Sequence, residues 1–348
     1  MTLTELSYYS RKFFPLVIIG FFLFLIFFYL IKLFILIYTP PPKPTIFYNP
    51  LFQKIPKPKV SQTNTSSGIN FVLDTIEGHP KTATLAAKVF FLPKPVSRLN
   101  YKSTIYLMAK NFGFDTEKIK HQLKENLAIF SDEEKRLEID ITNYNFFYNY
   151  QFETKATIFE NTIIPPKKEI ENKAIEFLKT VNRHPDELAK GKTSVFYFYY
   201  QKDLNTFSLV DRANDANVVE VDFFREDIDG YPVISPKFPN SHNFILMVFY
   251  QDGYKVLRAQ IKFFEKSEVE VGVYPIKTGD LAWEELIKGK GVVLSNPKDK
   301  KDVVIKHMTL VYLDPDFYQP YLEPVYLFIG EDNFYAFVPA ISFDYLID

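Results

Sequence analysis

Five histidines are the residues best suited to acid–base or metal chemistry: His79, His121, His184, His242 and His307. No two stand three or four residues apart, so no helical pair can share a metal ion. Four lie in polar, loop-like surroundings and read as solvated. His307 falls in a strand and reads as facing solvent. There is no cysteine, which removes disulfides, zinc–cysteine sites, iron–sulfur clusters and thiol nucleophiles together. It leaves the redox compartment open. A reactive serine needs a base and an orienting acid, usually on a tight turn. Neither Gly-x-Ser-x-Gly nor Ser-x-x-Lys occurs in a plausible site. No P-loop and no Gly-x-Gly-x-x-Gly run is present. Gly289 and Gly291 flank Lys290, but in a short turn without the strand–loop–helix setting of a phosphate cradle.

Two groups of acidic residues remain. Asp227, Asp229 and Gly230 lack the further ligands of a calcium loop, and a hairpin turn explains them. Asp211, Asn214, Asp215 and Asn217 do not have EF-hand spacing, and Asx turns and capping explain them. Lysines at 298, 300 and 301 read as a solvated loop. With 41 basic against 42 acidic residues, no strong field favours nucleic acid. No catalytic, cofactor-binding or metal-binding residue is expected, and no cofactor. The least ordinary feature is aromatic. Residues 144–150 (YNFFYNY) and 195–200 (VFYFYY) put rings on both faces of a strand. One face can fill a core, and the other must meet a second layer, a partner or a glycan.

The elements that would carry these residues begin with a membrane segment. Residues 13–31 form an uncharged run of about 19 residues, enough to cross a hydrocarbon core of roughly 30 Å as a helix. Lys32 interrupts it and can snorkel, and the apolar pattern then continues to Tyr38. Tyr8, Tyr9 and Tyr38 fit interfacial positions. No small-residue cleavage site follows, which argues against a cleaved signal peptide. Arg11 and Lys12 precede the span, and Lys43, Lys54, Lys57 and Lys59 follow it. Counted naively, the positive-inside rule would place the following region in the cytoplasm. Long domains cross largely regardless of charge, so the large domain is expected outside it.

The expected organisation is a short cytoplasmic tail (1–12), a transmembrane helix (13–38), a stalk (39–69), and two α+β modules (70–163 and 164–348). In the stalk, Pro40, Pro41, Pro42 and Pro44 predict polyproline II, continued by Pro50, Pro56 and Pro58. Residues 61–68 (SQTNTSSG) read as a flexible linker. They contain a glycosylation sequon, Asn64-Thr65-Ser66. Helices are predicted over 99–112 (Gly113 as its cap), 169–181 and 280–288 (capped by Thr278 or Asp280). Strands are predicted over 84–92, 136–141, 144–152, 195–200, 218–225, 243–250, 256–265, 303–313, 324–329 and 334–341. Asp229-Gly230 and Asp252-Gly253 signal turns, and 143–145 signals a turn or bulge. Pro165-Pro166 marks a module boundary. Strands outnumber helices and form hairpins, so the fold class is α+β with antiparallel sheets. The first two helices each precede a polar loop and a strand pair rich in Phe and Tyr, a faint internal repeat.

The last seventy or so residues carry a resemblance. Tyr274-Pro275 precedes Thr278, then Ala282, Trp283 and Leu286 on a helix. Gly289, a strand ending near Tyr312, Tyr321-Leu322-Glu323-Pro324-Val325-Tyr326 and Tyr335-Ala336-Phe337-Val338-Pro339-Ala340 follow. This pattern resembles the closing module of YycH/YycI-like proteins. It is also similar to that of uncharacterised single-pass membrane proteins of bacteria. The first resemblance implies a single-pass, extracytoplasmic regulator of an envelope-sensing histidine kinase, without catalysis. The tryptophan that family often has near Tyr326, and the asparagine near Pro339, are absent here. Trp283, Tyr274 and Tyr326 read as core residues, and no functional residue carries over.

The leading expectation is a non-enzymatic, membrane-anchored extracytoplasmic protein, regulatory or scaffolding, whose partner is another membrane or envelope protein. A glycan-binding module would instead need several exposed rings among residues 144–150. An envelope enzyme would need a cleft joining a histidine to a carboxylate or hydroxyl.

Overall fold

A computed structural model describes residues 3–38, 47–61, 64–97 and 99–347. The proline run at 40–42 and 44, with Lys43, lies outside the described residues, as do the side chains of Tyr9, Arg11 and Tyr38. The chain divides into two compact units, Met1–Phe47 and Tyr48–Asp348.

The first unit is built on helix α1 (Leu3–Tyr38). Its stretch Lys12–Ile35, 24 residues, is apolar and long enough to cross a membrane. The described side chains along it are exposed, apart from half-covered Leu25.

The second unit is α+β. It opens with β1 (Ile55–Pro56), β2 (Asn64–Thr65), β3 (Asn70–Leu73) and β4 (Ala86–Phe91). A stalk was expected up to residue 69, but from Tyr48 on this segment belongs to the folded unit. Ile55 and Val60 are buried, and Phe52 packs 4.9 Å from the Tyr321 ring. Burying these apolar groups outweighs the extended preference of the prolines. Pro56 fits because β1 is a two-residue strand paired only with the last strand of the chain. The sequon is also engaged. Ser66 Oγ donates to the Leu286 carbonyl at 2.8 Å and accepts from Gly291 N at 3.0 Å.

Two repeats follow. The first is α2 (Tyr101–Asn111) with β5 (Gln122–Lys124), β6 (Leu127–Ser131), β7 (Lys135–Asp140) and β8 (Phe146–Tyr150). The second is α3 (Lys167–Thr180) and α4 (Asp186–Lys190), with β9 (Thr193–Gln201), β10 (Thr206–Val210), β11 (Val218–Phe223), β12 (Val233–Ile234), β13 (Phe244–Tyr250) and β14 (Gly253–Ile261). In each, a helix precedes a four-stranded antiparallel meander. These are β5-β6-β7-β8 and β9-β11-β13-β14, with β10 added at the edge and β12 leaving for another sheet. The last strands, β8 and β14, pair antiparallel, so the meanders fuse into one sheet of nine strands. The helices match position by position. Ile105, Met108, Ala109 and Phe112 correspond to Ala174, Phe177, Leu178 and Val181, all in one core. Their ends match too. Gly113 (φ +80°) and Asn182 (φ +54°) are left-handed. The next residues close the helices, Phe114 N to Ala109 O and Arg183 N to Leu178 O. The module boundary expected at 163/164 therefore falls between repeats that share a sheet. Residues 70–73 and 86–91, inside the range expected of the first module, form β3 and β4 of the second sheet instead.

The chain ends with β15 (Val271–Pro275), α5 (Gly279–Glu285), β16 (Val292–Ser295), β17 (Asp302–Leu313), β18 (Tyr321–Gly330), β19 (Tyr335–Pro339) and β20 (Leu346–Ile347). The second sheet runs β12-β17-β18-β19-β16-β2, with β3 beside β17 and β4 joining β15 to β18. Thr278 caps α5 by accepting from Leu281 N, as expected. Tyr274 and Tyr326 are fully buried, and Trp283 is half-buried against the same core.

Candidate functional site

Where the two repeats meet, a cleft of about 1050 Å³ opens in the second unit. One wall is the flank of α2, with Thr104 and Met108. The opposite wall is the end of α3, with Val181, Asn182, Arg183 and His184. The β7–β8 turn supplies Asn143 and Tyr144, and the segment after β14 supplies Phe263 and Glu265. Tyr144 holds φ +60°, a conformation that costs a bulky residue on the order of 1–3 kcal/mol.

Asn145 organises this wall. Its Oδ1 accepts from Arg183 Nη2 at 2.8 Å and from Phe263 N at 2.9 Å. The Arg183 Nε is sealed from solvent and has no hydrogen-bond partner. Burial pulls the guanidinium down to about 10, with the charge of Glu265 opposing. Glu265 itself is exposed at the rim. Burial also lowers His184, with help from Lys179. A second cavity of about 500 Å³ shares Lys94, Pro95, Thr142, Asn143 and Phe264 with the first. Its wall differs in carrying Glu138, Asp140 and Asp316.

A histidine does meet a hydroxyl and a carboxylate, away from the cleft. His242 Nδ1 lies 3.1 Å from Ser235 Oγ, and Nε2 lies 3.4 Å from Asp314 Oδ2. Nε2 also faces the Lys262 carbonyl at 3.0 Å, an acceptor, so that nitrogen carries the ring proton. Ser235 Oγ already accepts from Lys237 N and His242 N. The hydroxyl is thus saturated, and all three residues are buried. This cluster holds the loop before β13 in place and offers no reactive serine. Arg225 completes it, donating to Asp314 at 2.6 Å, Glu187 at 3.0 Å and the Phe264 carbonyl at 2.5 Å.

The histidines thus depart from a uniformly solvated set. His79 and His307 are exposed, His121 and His184 half-buried, and His242 fully buried. His121 packs edge-on against Tyr106, and burial lowers it, with Lys102 adding to the effect. Asp227 and Asp229 diverge to separate lysines, Lys192 and Lys88. Asn217 caps Tyr200 N. Gly291 serves Ser66 rather than a phosphate, and Lys298 and Lys300 both pair with Asp332. No three metal-binding side chains gather among the described residues. In the aromatic run, Phe146, Tyr148 and Tyr150 are buried and Tyr144 and Phe147 half-buried. None is fully exposed, so these rings do not form the exposed platform that the glycan-binding alternative needs. In the second run Tyr199 is exposed. Sequence reading passed over Arg183, Asn182 and Asn145. Only an asparagine just past the last apolar position of a helix hinted at them.

No family model matches the chain, and no curated protein matches it. It is similar at 12% identity to solved structures. One is an uncharacterized protein from Eubacterium rectale (TM-score 0.38; 78% of this chain, 89% of that one). Another is YycH from Bacillus subtilis (TM-score 0.35; 74% of this chain, 53% of that one). A third is the YpeB C-terminal domain from Bacillus megaterium (TM-score 0.28; 72% and 95%). The aligned part of this chain thus spans about half the length of YycH.

Proposed function

We propose that this chain is a non-enzymatic, membrane-anchored extracytoplasmic protein that regulates or scaffolds another membrane or envelope protein. The observation carrying the reading is the Lys12–Ile35 stretch, 24 residues, apolar, long enough to cross a membrane and largely exposed. A bilayer covers such a surface. The pattern of the last seventy residues supports the regulatory half of the reading. The saturated Ser235–His242–Asp314 cluster supports the non-enzymatic half.

Topology comes first in testing it. The chain has no cysteine, and Val269 is 90% exposed in a turn. Val269→Cys therefore gives a unique thiol. Labelling by a membrane-impermeant maleimide in intact cells is the expected result. Labelling only after lysis would overturn the extracytoplasmic assignment. Crosslinking in intact membranes should then recover a membrane or envelope protein with the full chain. Recovery of the chain alone would overturn the partner assignment.

A further inference from the structure

Two arginines of the second unit are withdrawn from solvent, Arg225 fully and Arg183 in part, and the fold treats them differently. Arg225 has Asp314 and Glu187 within 3.0 Å. Buried charges are ordinarily paired in this way. Arg183 makes one side-chain hydrogen bond, to the neutral Asn145, and no ion pair among the described residues. Its Nε is left without a partner. The guanidinium is nevertheless held in place. Its backbone N–H closes α3 on Leu178, and Asn145 is itself fixed by Phe263 N. A half-buried cation held in place on a cleft wall, with no ion pair among the described residues, has the form of half an ion pair.

The rest of the cleft agrees with this. Glu265 is the one carboxylate on its wall among the described residues, and it is exposed. Asn143, Asn182 and Thr104 add neutral polar groups, and Met108, Val181 and Phe263 add apolar surface. One residue around it, the bulky Tyr144, is held left-handed. Strained backbone gathers at ligand sites. We infer that this cleft binds a small molecule bearing an oxyanion, a carboxylate or a phosphate, and that Arg183 is the residue that pairs with it. A guanidinium suits both, since its N–H groups match two oxygens of either. The inference does not depend on which side of the membrane the domain occupies.

The test uses the full chain in detergent micelles. Chloride is replaced at constant ionic strength by inorganic phosphate in one arm and acetate in the other, and thermal unfolding is followed. Either anion should raise the wild-type Tm saturably. In Arg183→Gln the apparent Kd should weaken at least tenfold. Asn182→Asp, a change the left-handed position tolerates, puts a competing carboxylate in the cleft. It should weaken the response similarly, and it carries the test if Arg183→Gln fails to fold. A response to acetate as well as phosphate assigns a general oxyanion site, and a response to phosphate alone assigns a phosphate. Equal responses in wild type and both variants would mean an adventitious ion only. That result, or no response in the wild type, would overturn the inference.

Discussion

Arg225 Nε donates to Asp314 Oδ1 across 2.6 Å, with both side chains shut off from water. Arg225 follows β11 of the nine-stranded sheet, and Asp314 follows β17 of the second. The contact therefore ties the two sheets together. Removing one partner leaves a buried, uncompensated charge, which typically costs about 3–5 kcal/mol. Arg225→Leu should lower unfolding stability by that order in a denaturant titration. Arg225→Leu with Asp314→Asn should recover part of the loss. Burial by itself would raise Asp314, but Arg225 and His242 outweigh it and hold the carboxyl below its usual range. Its stabilising effect is thus present above the unfolded value, near 4. It fades as pH falls through the folded one.

Asp222 titrates in the opposite sense. Burial, then the neighbouring Glu220, push it up to about 8. One oxygen accepts from Ser241 N at 2.5 Å, and the other has no partner. A raised carboxyl penalises the folded state once it must ionise. Stability should fall as pH rises from about 4 toward 8, by something on the order of a few kcal/mol. Asp222→Asn keeps an acceptor for Ser241 and cannot ionise. Its Tm should be flatter across this window than that of the wild type, and higher at pH 8. A parallel pH profile for the two proteins would show that Asp222 does not carry the slope.

The matching helix ends of the two repeats give a paired substitution. Gly113 and Asn182 occupy the same left-handed position. An alanine there costs roughly 1–2 kcal/mol. Gly113→Ala should lose that amount, whereas Asn182→Gly should be neutral or gain a few tenths. Chemical denaturation reads both. A neutral Gly113→Ala would mean that the turn relaxes out of the left-handed region.

What could be read before the structure was local. The span is a continuous apolar run, and α2 announces itself by Ile105, Met108, Ala109 and Phe112, closed by Gly113. Strands flanked by Asp252-Gly253 or by 143–145 are bounded by their own turn residues. What escaped depends on distant partners. Arg258 meets Asn149 across 109 residues, so nothing local reveals that the repeats fuse into one sheet. Ile55 and Pro56 look like linker because their partners lie at the far end of the chain. His242 sits between Ser241 and Asn243 and reads as solvated. The polar neighbours are themselves buried and bonded, to Phe223 O and Lys262 N. Arg183 looks like any basic residue ending a helix until Asn145 and the cleft are seen.

The repeats also meet on the helix side of their shared sheet. Phe112, just past α2, and Phe177 of α3 pack edge to face, with ring centroids 5.3 Å apart at 81°. Asn111 Nδ2 donates to the Thr180 carbonyl at 2.6 Å beside them. Both rings are buried, so each truncation to alanine should cost about 3–5 kcal/mol. If the repeats fold as one body, the rings should also be coupled, by about 0.5–1.5 kcal/mol beyond their separate burial. A double-mutant cycle of Phe112→Ala and Phe177→Ala measures that coupling. Strict additivity, or two separate unfolding transitions in either single variant, would mean that this ring contact does not couple the repeats.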